Sequence, residues 1–222
     1  MKREKLAAVF FAAITMFGWA VPAGAVDGTI EINQAKVLAN GGFPFTINAS
    51  NAGQSYRLTG PLTVPASTNG IVVNANNVTI DLNGFTITGP GTSSTGIGIN
   101  ASTEAHVTVE NGTLTGLGFG VVTGNNGTIK SVHADANANN GIETGSSSMI
   151  QGCTANGNAT GIETGAGSLI SGDIVESNSS AGITADATTG YGGNELDNTT
   201  NVSGGTSMKN NVCTTGGITS TC

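Results

Sequence analysis

From about residue 70 onward, aliphatic residues recur at a spacing that belongs to neither a lone amphipathic helix nor a lone strand. Gly-Ile-Glu-Thr-Gly stands at Gly141 to Gly145 and again, 20 residues later, at Gly161 to Gly165. Degenerate copies follow the same rhythm at Gly98-Ile99, Gly120-Val121 and Gly182-Ile183. Eight residues beyond Val72, Ile99, Val121, Ile142 and Ile162 lie Ile80, Val107, Ile129, Ile150 and Ile170, each again aliphatic. Three residues further come Val132 and Cys153, and four residues further Ile174, while earlier coils reach Ile87 and Leu114 past Asn83-Gly84 and Asn111-Gly112. Short apolar runs between Gly, Asn and Ser turn signals predict strands. A fixed period of this size predicts a solenoid, whose repeats bury a core only by stacking. Asn137, Asn158 and Asn178 each fall eight residues past an inward isoleucine, which predicts an asparagine ladder at one corner.

Other solenoids fit less well. The spacing of eight disagrees with a hexapeptide helix, leucines are too few for a leucine-rich repeat, and Gly-Gly-x-Gly-x-Asp runs are missing. The Gly, Thr and Ser content and the lack of a 3.6 period exclude helical repeats. The prediction is an all-β, single-stranded, right-handed parallel β-helix of about six to seven coils, near 30 Å long at the usual strand spacing. Open solenoid ends invite aggregation and need caps. Ile32 to Asn40 reads as a short amphipathic capping helix with Ile32, Ala35, Leu38 and Ala39 on one side, stopped by Gly41-Gly42. The aliphatic pattern fades after Leu196. The expected organisation is therefore a leader over 1–25, an N-terminal cap and first strands over 26–66, coils over 67–190 and a C-terminal cap over 191–222.

The leader is read from Lys2, Arg3 and Lys5, an apolar run from Leu6 to Val21, and Ala23-Gly24-Ala25 as a cleavage site. Export to the periplasm or beyond follows, and no later segment is apolar enough to span a membrane after cleavage. The expected mature chain keeps four basic residues against 13 acidic ones, a net charge of about −9 with His neutral. That balance argues against nucleic acid or an anionic membrane surface as partner. The three cysteines are an odd set for an exported chain. A Cys213–Cys222 disulfide would tie down the tail, with Cys153 a buried apolar filler. A Cys153–Cys213 bridge is the alternative.

Three segments carry a family resemblance: Ile32-Asn33-Gln34-Ala35-Lys36, Ser55-Tyr56-Arg57-Leu58-Thr59, and Asn77-Val78-Thr79-Ile80-Asp81-Leu82-Asn83-Gly84-Phe85-Thr86-Ile87. Through them the chain resembles bacterial exported right-handed parallel β-helix repeat proteins of the pectate-lyase-like superfamily. The resemblance implies a bias toward polysaccharides, since lyases, hydrolases and non-catalytic binders share that scaffold. Pectate lyases use an arginine base with calcium-binding acids, yet the one arginine outside the leader, Arg57, stands in the N-terminal region. The Asn-x-Asp, Asp-Asp, Gly-His-Gly and Arg-x-Lys motifs of polygalacturonases are missing. Trp19 belongs to the leader, which leaves Tyr56 and Tyr191 as the large polar aromatics for stacking on sugars.

The sharpest candidate chemistry is the pair Glu143 and Glu163, in one register on adjacent coils and so about 4.8 Å apart along the sheet. Paired carboxylates at about 5–5.5 Å suit retaining glycoside hydrolysis, or a Ca²⁺ ion whose oxygen ligands relieve like-charge repulsion. The plainer alternative is two solvated glutamates on a polar face. Val122 and Thr184 occupy the same register in the flanking coils, so no acidic row continues. Lys130, His133 and Asp135 alternate along one strand and form a second candidate for acid–base work or uronate binding, against an ordinary polar strand face. Asp173 aligns near the inward Cys153 position, and a corner slipped by one residue is the expected explanation. Together these signals predict a glycan- or envelope-contacting binding or structural protein without an evident catalytic motif. The alternative is a polysaccharide lyase or glycoside hydrolase acting on an acidic polysaccharide.

Overall fold

The computed structural model describes residues 28–91, 94–215, 218–220 and 222. The expected leader, with its cleavage site and Trp19, lies outside the described residues. The chain winds into a parallel β-solenoid of about 8 turns with three sheet faces. On the first face, Thr29–Ile32, Ser55–Leu58 and Thr79–Asp81 stack in register, and the column continues through Met149–Gln151 and Leu169–Ser171. The second face runs from Leu62–Thr63 and Thr86–Thr88 to Glu195–Asp197 and Val212–Thr215. The third runs from Phe45–Ile47 and Ile71–Val73 through Phe119–Thr123, Asn140–Thr144 and Thr160–Thr164. Turns thus form well before residue 67 and well after residue 190, which is why there are more of them than the six to seven predicted. The early turns are longer and the first carries no Gly-Ile pair, so periodicity alone undercounts them.

Inward positions stack like on like. Ile80, Val109, Ile129, Ile150 and Ile170 form one aliphatic column along the first face, each fully buried. Burying such a side chain stabilises the fold by about 1.5–3 kcal/mol, so the column is the main source of cohesion between turns. The repeated glycine has a steric cause. A Cβ on Gly161 would lie 2.7 Å from the Gly182 carbonyl oxygen and 2.8 Å from the Asn178 amide nitrogen, so only glycine allows the third face to pass the corner. The turn pairs Asn83-Gly84 and Asn111-Gly112 place Asn83 and Asn111 at φ 52° and 61°, the left-handed region that asparagine tolerates.

Four local expectations change. Ile71 and Val73, not Val72, face inward in the first Gly-Ile-type strand, because Ile71 pairs with Ile99. Ile174 points outward at 41% exposure, and Val175 takes the inward place. The helix runs over Gln34–Ala39 with Asn33 as N-cap, its Oδ1 accepting from the Lys36 N–H. It buries Val37 and leaves Leu38 60% exposed, while Ile32 belongs to the preceding strand. That helix stands where the first turn would otherwise place a second-face strand. Gln34 there accepts from the Thr63 N–H and donates to the Thr63 carbonyl, which pairs the exposed edge of Leu62–Thr63. The fourth change is Asp173. It is a buried acid at 1% exposure, in register with Cys153, and no slipped corner removes it from the interior.

All three corners are sealed by polar ladders. The predicted asparagine ladder spans Asn137, Asn158 and Asn178 and extends to Asn198. In each rung Oδ1 accepts the previous rung's backbone N–H while Nδ2 donates to a carbonyl one turn back, as Asn158 does to Ala134 at 2.8 Å. A second ladder runs through Ser148, Ser168 and Thr189, whose hydroxyls accept from the N–H groups of Gly127, Ser148 and Ser168. The third contains Cys153, Asp173, Asn194 and Asn211. Cys213 and Cys222 are disulfide-bonded, with Cα atoms 5.9 Å apart, and Cys153 is a free, buried thiol.

Candidate functional site

Glu143 and Glu163 pair directly across adjacent third-face strands, with Val122 before them and Thr184 after. Isoleucines 142 and 162 beside them are fully buried, so strand alternation turns both carboxylates outward. The side chain that joins them is Asn140. Its Nδ2 donates to Glu143 Oε2 at 2.8 Å and to Glu163 Oε2 at 2.9 Å. Two oxygens within hydrogen-bond reach of one nitrogen lie no more than about 6 Å apart. Asn140 itself pairs with Thr160, one strand residue ahead of the repeated glycine. Glu143 is half-buried and Glu163 exposed. Burial pushes the Glu143 carboxyl above the usual carboxylate range and the charge of Glu163 adds to this, while the Asn140 hydrogen bond opposes it.

Beside Glu143 opens a shallow cleft of about 260 Å³, floored by Val122 and Thr123 and walled by Ser102 to Ala105, Asn125 and Gly145. Its polar groups are small: Ser102, Thr103 and Asn125, with Glu104 as the second carboxylate at its edge. No family model matches the chain, and no curated protein matches it. Among solved structures, the A-module of the mannuronan C-5 epimerase AlgE4 of Azotobacter vinelandii aligns with it at 13% identity and a TM-score of 0.36. The alignment covers 81% of this chain, which spans 63% of the length of that structure.

The second candidate set does not converge. Thr128–Asp135 is one continuous strand, but Ser131 at φ 53° bends it around a corner. Lys130 therefore lies on the first face, level with Glu110 and Gln151, and its Nζ is 2.9 Å from Glu110 Oε2. His133 and Asp135 lie on the second face, level with Thr154 and Asn156. The same ladder of opposite charges links Arg57 Nε to Asp81 Oδ2 at 3.3 Å two turns earlier. His133 and Asp135 remain neighbours. Burial raises the Asp135 carboxyl, against the charge of His133 and a hydrogen bond from the Asn156 backbone. Asp135 Oδ1 is buried without a hydrogen-bond partner among the described groups.

Among the described residues, no three His, Cys, Asp or Glu side chains gather closely enough to enclose a metal ion. A Ca²⁺ ion at Glu143 and Glu163 would have to draw its further oxygens from the Asn140 amide, turned to present its carbonyl, and from water. Asn140 is the site residue that the sequence pattern left unmarked. Its signal was present, because it immediately precedes the repeated pentapeptide and shares its strand.

Proposed function

We propose that this chain is an exported parallel β-solenoid that binds a glycan or another envelope component along its third face without turning it over. The contact is centred on Glu143, Glu163, Asn140 and the adjoining cleft. The observation that carries this reading is the shared amide. Asn140 holds two outward carboxylates as stacked acceptors on adjacent strands of the third face, a geometry suited to receiving sugar hydroxyls. A retaining hydrolase would need one carboxyl free to donate a proton and the sugar ring enclosed between the pair. The cleft is smaller than the 300–1,000 Å³ or so of ordinary enclosing pockets, and the flanking Val122 and Thr184 supply neither acid nor base. The carboxylates and the acidic chain favour a neutral glycan, since a polyuronate would meet repulsion unless Ca²⁺ bridged it.

A glycan array probed with wild type, Glu143→Gln and Glu163→Gln, alongside a reducing-end and unsaturated-product assay on the same glycans, tests the reading. Binding of a neutral glycan that weakens about tenfold in either variant, with no product from wild type, supports it. Product formation that Glu163→Gln abolishes would establish the hydrolase or lyase instead. No binding in any condition, including added Ca²⁺, would leave a purely structural solenoid.

A further inference from the structure

The corner between the first and second faces carries the ladder of Cys153, Asp173, Asn194 and Asn211, and one rung differs chemically from the rest. Asn211 accepts from the Asn194 N–H at 3.0 Å and donates through Nδ2 to the Tyr191 carbonyl at 3.4 Å. Asn194 accepts from the Asp173 N–H at 2.9 Å and donates through Nδ2 to the Ile170 carbonyl at 3.3 Å. Two turns before Asn194, Cys153 fills the donor role with sulfur, its thiol lying 3.7 Å from the Ile129 carbonyl. The carbonyls that receive these donors belong to Ile129, Ile170 and Tyr191, which form one register with Ile150 between the first two.

Asp173 performs the acceptor half of its rung, with Oδ1 taking the Cys153 N–H at 2.7 Å. Its other oxygen, Oδ2, is buried and has no partner among the described groups. By register this oxygen stands where its neighbours carry a donor, and the Ile150 carbonyl is the matching acceptor. An ionised carboxylate would set two acceptors against each other in a dry corner. A carboxylic acid supplies the hydrogen that asparagine supplies elsewhere.

We propose that Asp173 is carried as a neutral carboxylic acid in the folded chain, its Oδ2–H donating to the Ile150 carbonyl, so that ionisation loosens this corner and makes the turns around it a pH-sensitive segment of the solenoid. Among the described residues no cation pairs with Asp173. From the preceding turn it meets the Cys153 thiol, itself pushed up to about 12 by burial and by Asp173, and therefore neutral throughout. From the following turn it meets the neutral Asn194. The charged side chains on the second-face strands that leave this corner beside it, Glu176 and Glu195, alternate outward with Val175 and Leu196 and are both acids. Burial raises the Asp173 carboxyl from 3.8 to about 7, against hydrogen bonds from the Cys153 and Ser171 backbone.

The direction follows from linkage. Because the folded value lies above the unfolded one, the contribution of Asp173 to stability is fully present below about pH 4. It is lost as the pH rises toward 7 and levels off above that value. Asp173→Asn supplies the donor at every pH. Chemical denaturation of both proteins between pH 4 and pH 8 should show the folding constant of the variant gaining on wild type by roughly fiftyfold between pH 5 and pH 7, since the limiting slope is about tenfold per pH unit. A ratio that does not change with pH would overturn the proposal. Carbon-13 NMR of the Asp173 carboxyl in folded wild type provides a readout that needs no variant. Titration above pH 6 supports it, and titration near pH 4 sinks it. Amide hydrogen exchange at pH 8, compared with Asp173→Asn, should quicken at Cys153, Asp173 and Asn194, whereas equal exchange in both proteins at those amides would contradict the local opening.

Discussion

A buried asparagine in this protein satisfies two turns at once, which makes its loss costlier than that of a surface polar residue. Asn158 shows the arithmetic of a ladder. Its Oδ1 accepts the Asn137 backbone N–H at 2.9 Å, and its Nδ2 serves the Ala134 carbonyl at 2.8 Å and the Asn178 Oδ1 at 3.1 Å. Asn158→Leu keeps similar volume but strands a backbone donor and a backbone acceptor away from water. Each such orphan costs about 1–3 kcal/mol, so urea denaturation should show a loss of roughly 3–4 kcal/mol. A loss under about 1 kcal/mol would mean that water enters the corner and replaces the rung. The same reasoning separates Asp173 from its neighbours: it sits in a ladder built for amides, yet it can supply a donor only when protonated.

Individual strands here are too short to be stable alone, and their outward faces contribute little to cohesion between turns. On the first face, Lys130 and Glu110 pair at 2.9 Å with side-chain exposures of 48% and 22%. Exposed ion pairs of this kind are worth about 0–1 kcal/mol. Lys130→Ala should therefore move the denaturation midpoint little, by less than about 1 kcal/mol, and should leave any glycan binding at Glu143 unchanged because the two lie on different faces. A larger effect would reveal that the charge ladder has a role in aligning the turns. Outward Met149 and Leu169 stack on the same face, 41% and 37% exposed, and continue the row of Thr79, Thr108 and Thr128.

The molecule as a whole is a stack whose interior turns each have two neighbours, while the end turns have one. Ends therefore open first, and they carry special devices. At the N-terminal end the Gln34 side chain pairs the Thr63 backbone. At the other end Val212–Thr215 meets Ile218–Ser220 in antiparallel pairing, and the Cys213–Cys222 bond closes that hairpin. A disulfide spanning 9 residues removes loop entropy from the unfolded chain worth roughly 2–3 kcal/mol. Cys213→Ser with Cys222→Ser should reduce stability by about that amount. Hydrogen exchange should localise the loosening to the last turn, leaving amides near Ile150 protected. Uniform loss of protection throughout would show instead that the solenoid unfolds as one unit from this end.

The sequence alone determined the solenoid, the inward isoleucines and the Asn137–Asn158–Asn178 ladder, because stacking in register forces each of these residues to recur at the period of one turn. The repeat also announced that Glu143 and Glu163 would be neighbours. Only the tertiary structure decided where the corners fall, since a single left-handed residue such as Ser131 changes a side chain's face without disturbing the period. That is why Lys130 parts from His133 and Asp135 and why Ile174 turns outward. It also decided that Asp173 stays inside, because a ladder position is defined by its hydrogen-bond partners on adjacent turns. Periodicity reports which residues share a register. The direction in which each one points, and what completes its bonds, depends on the turns above and below.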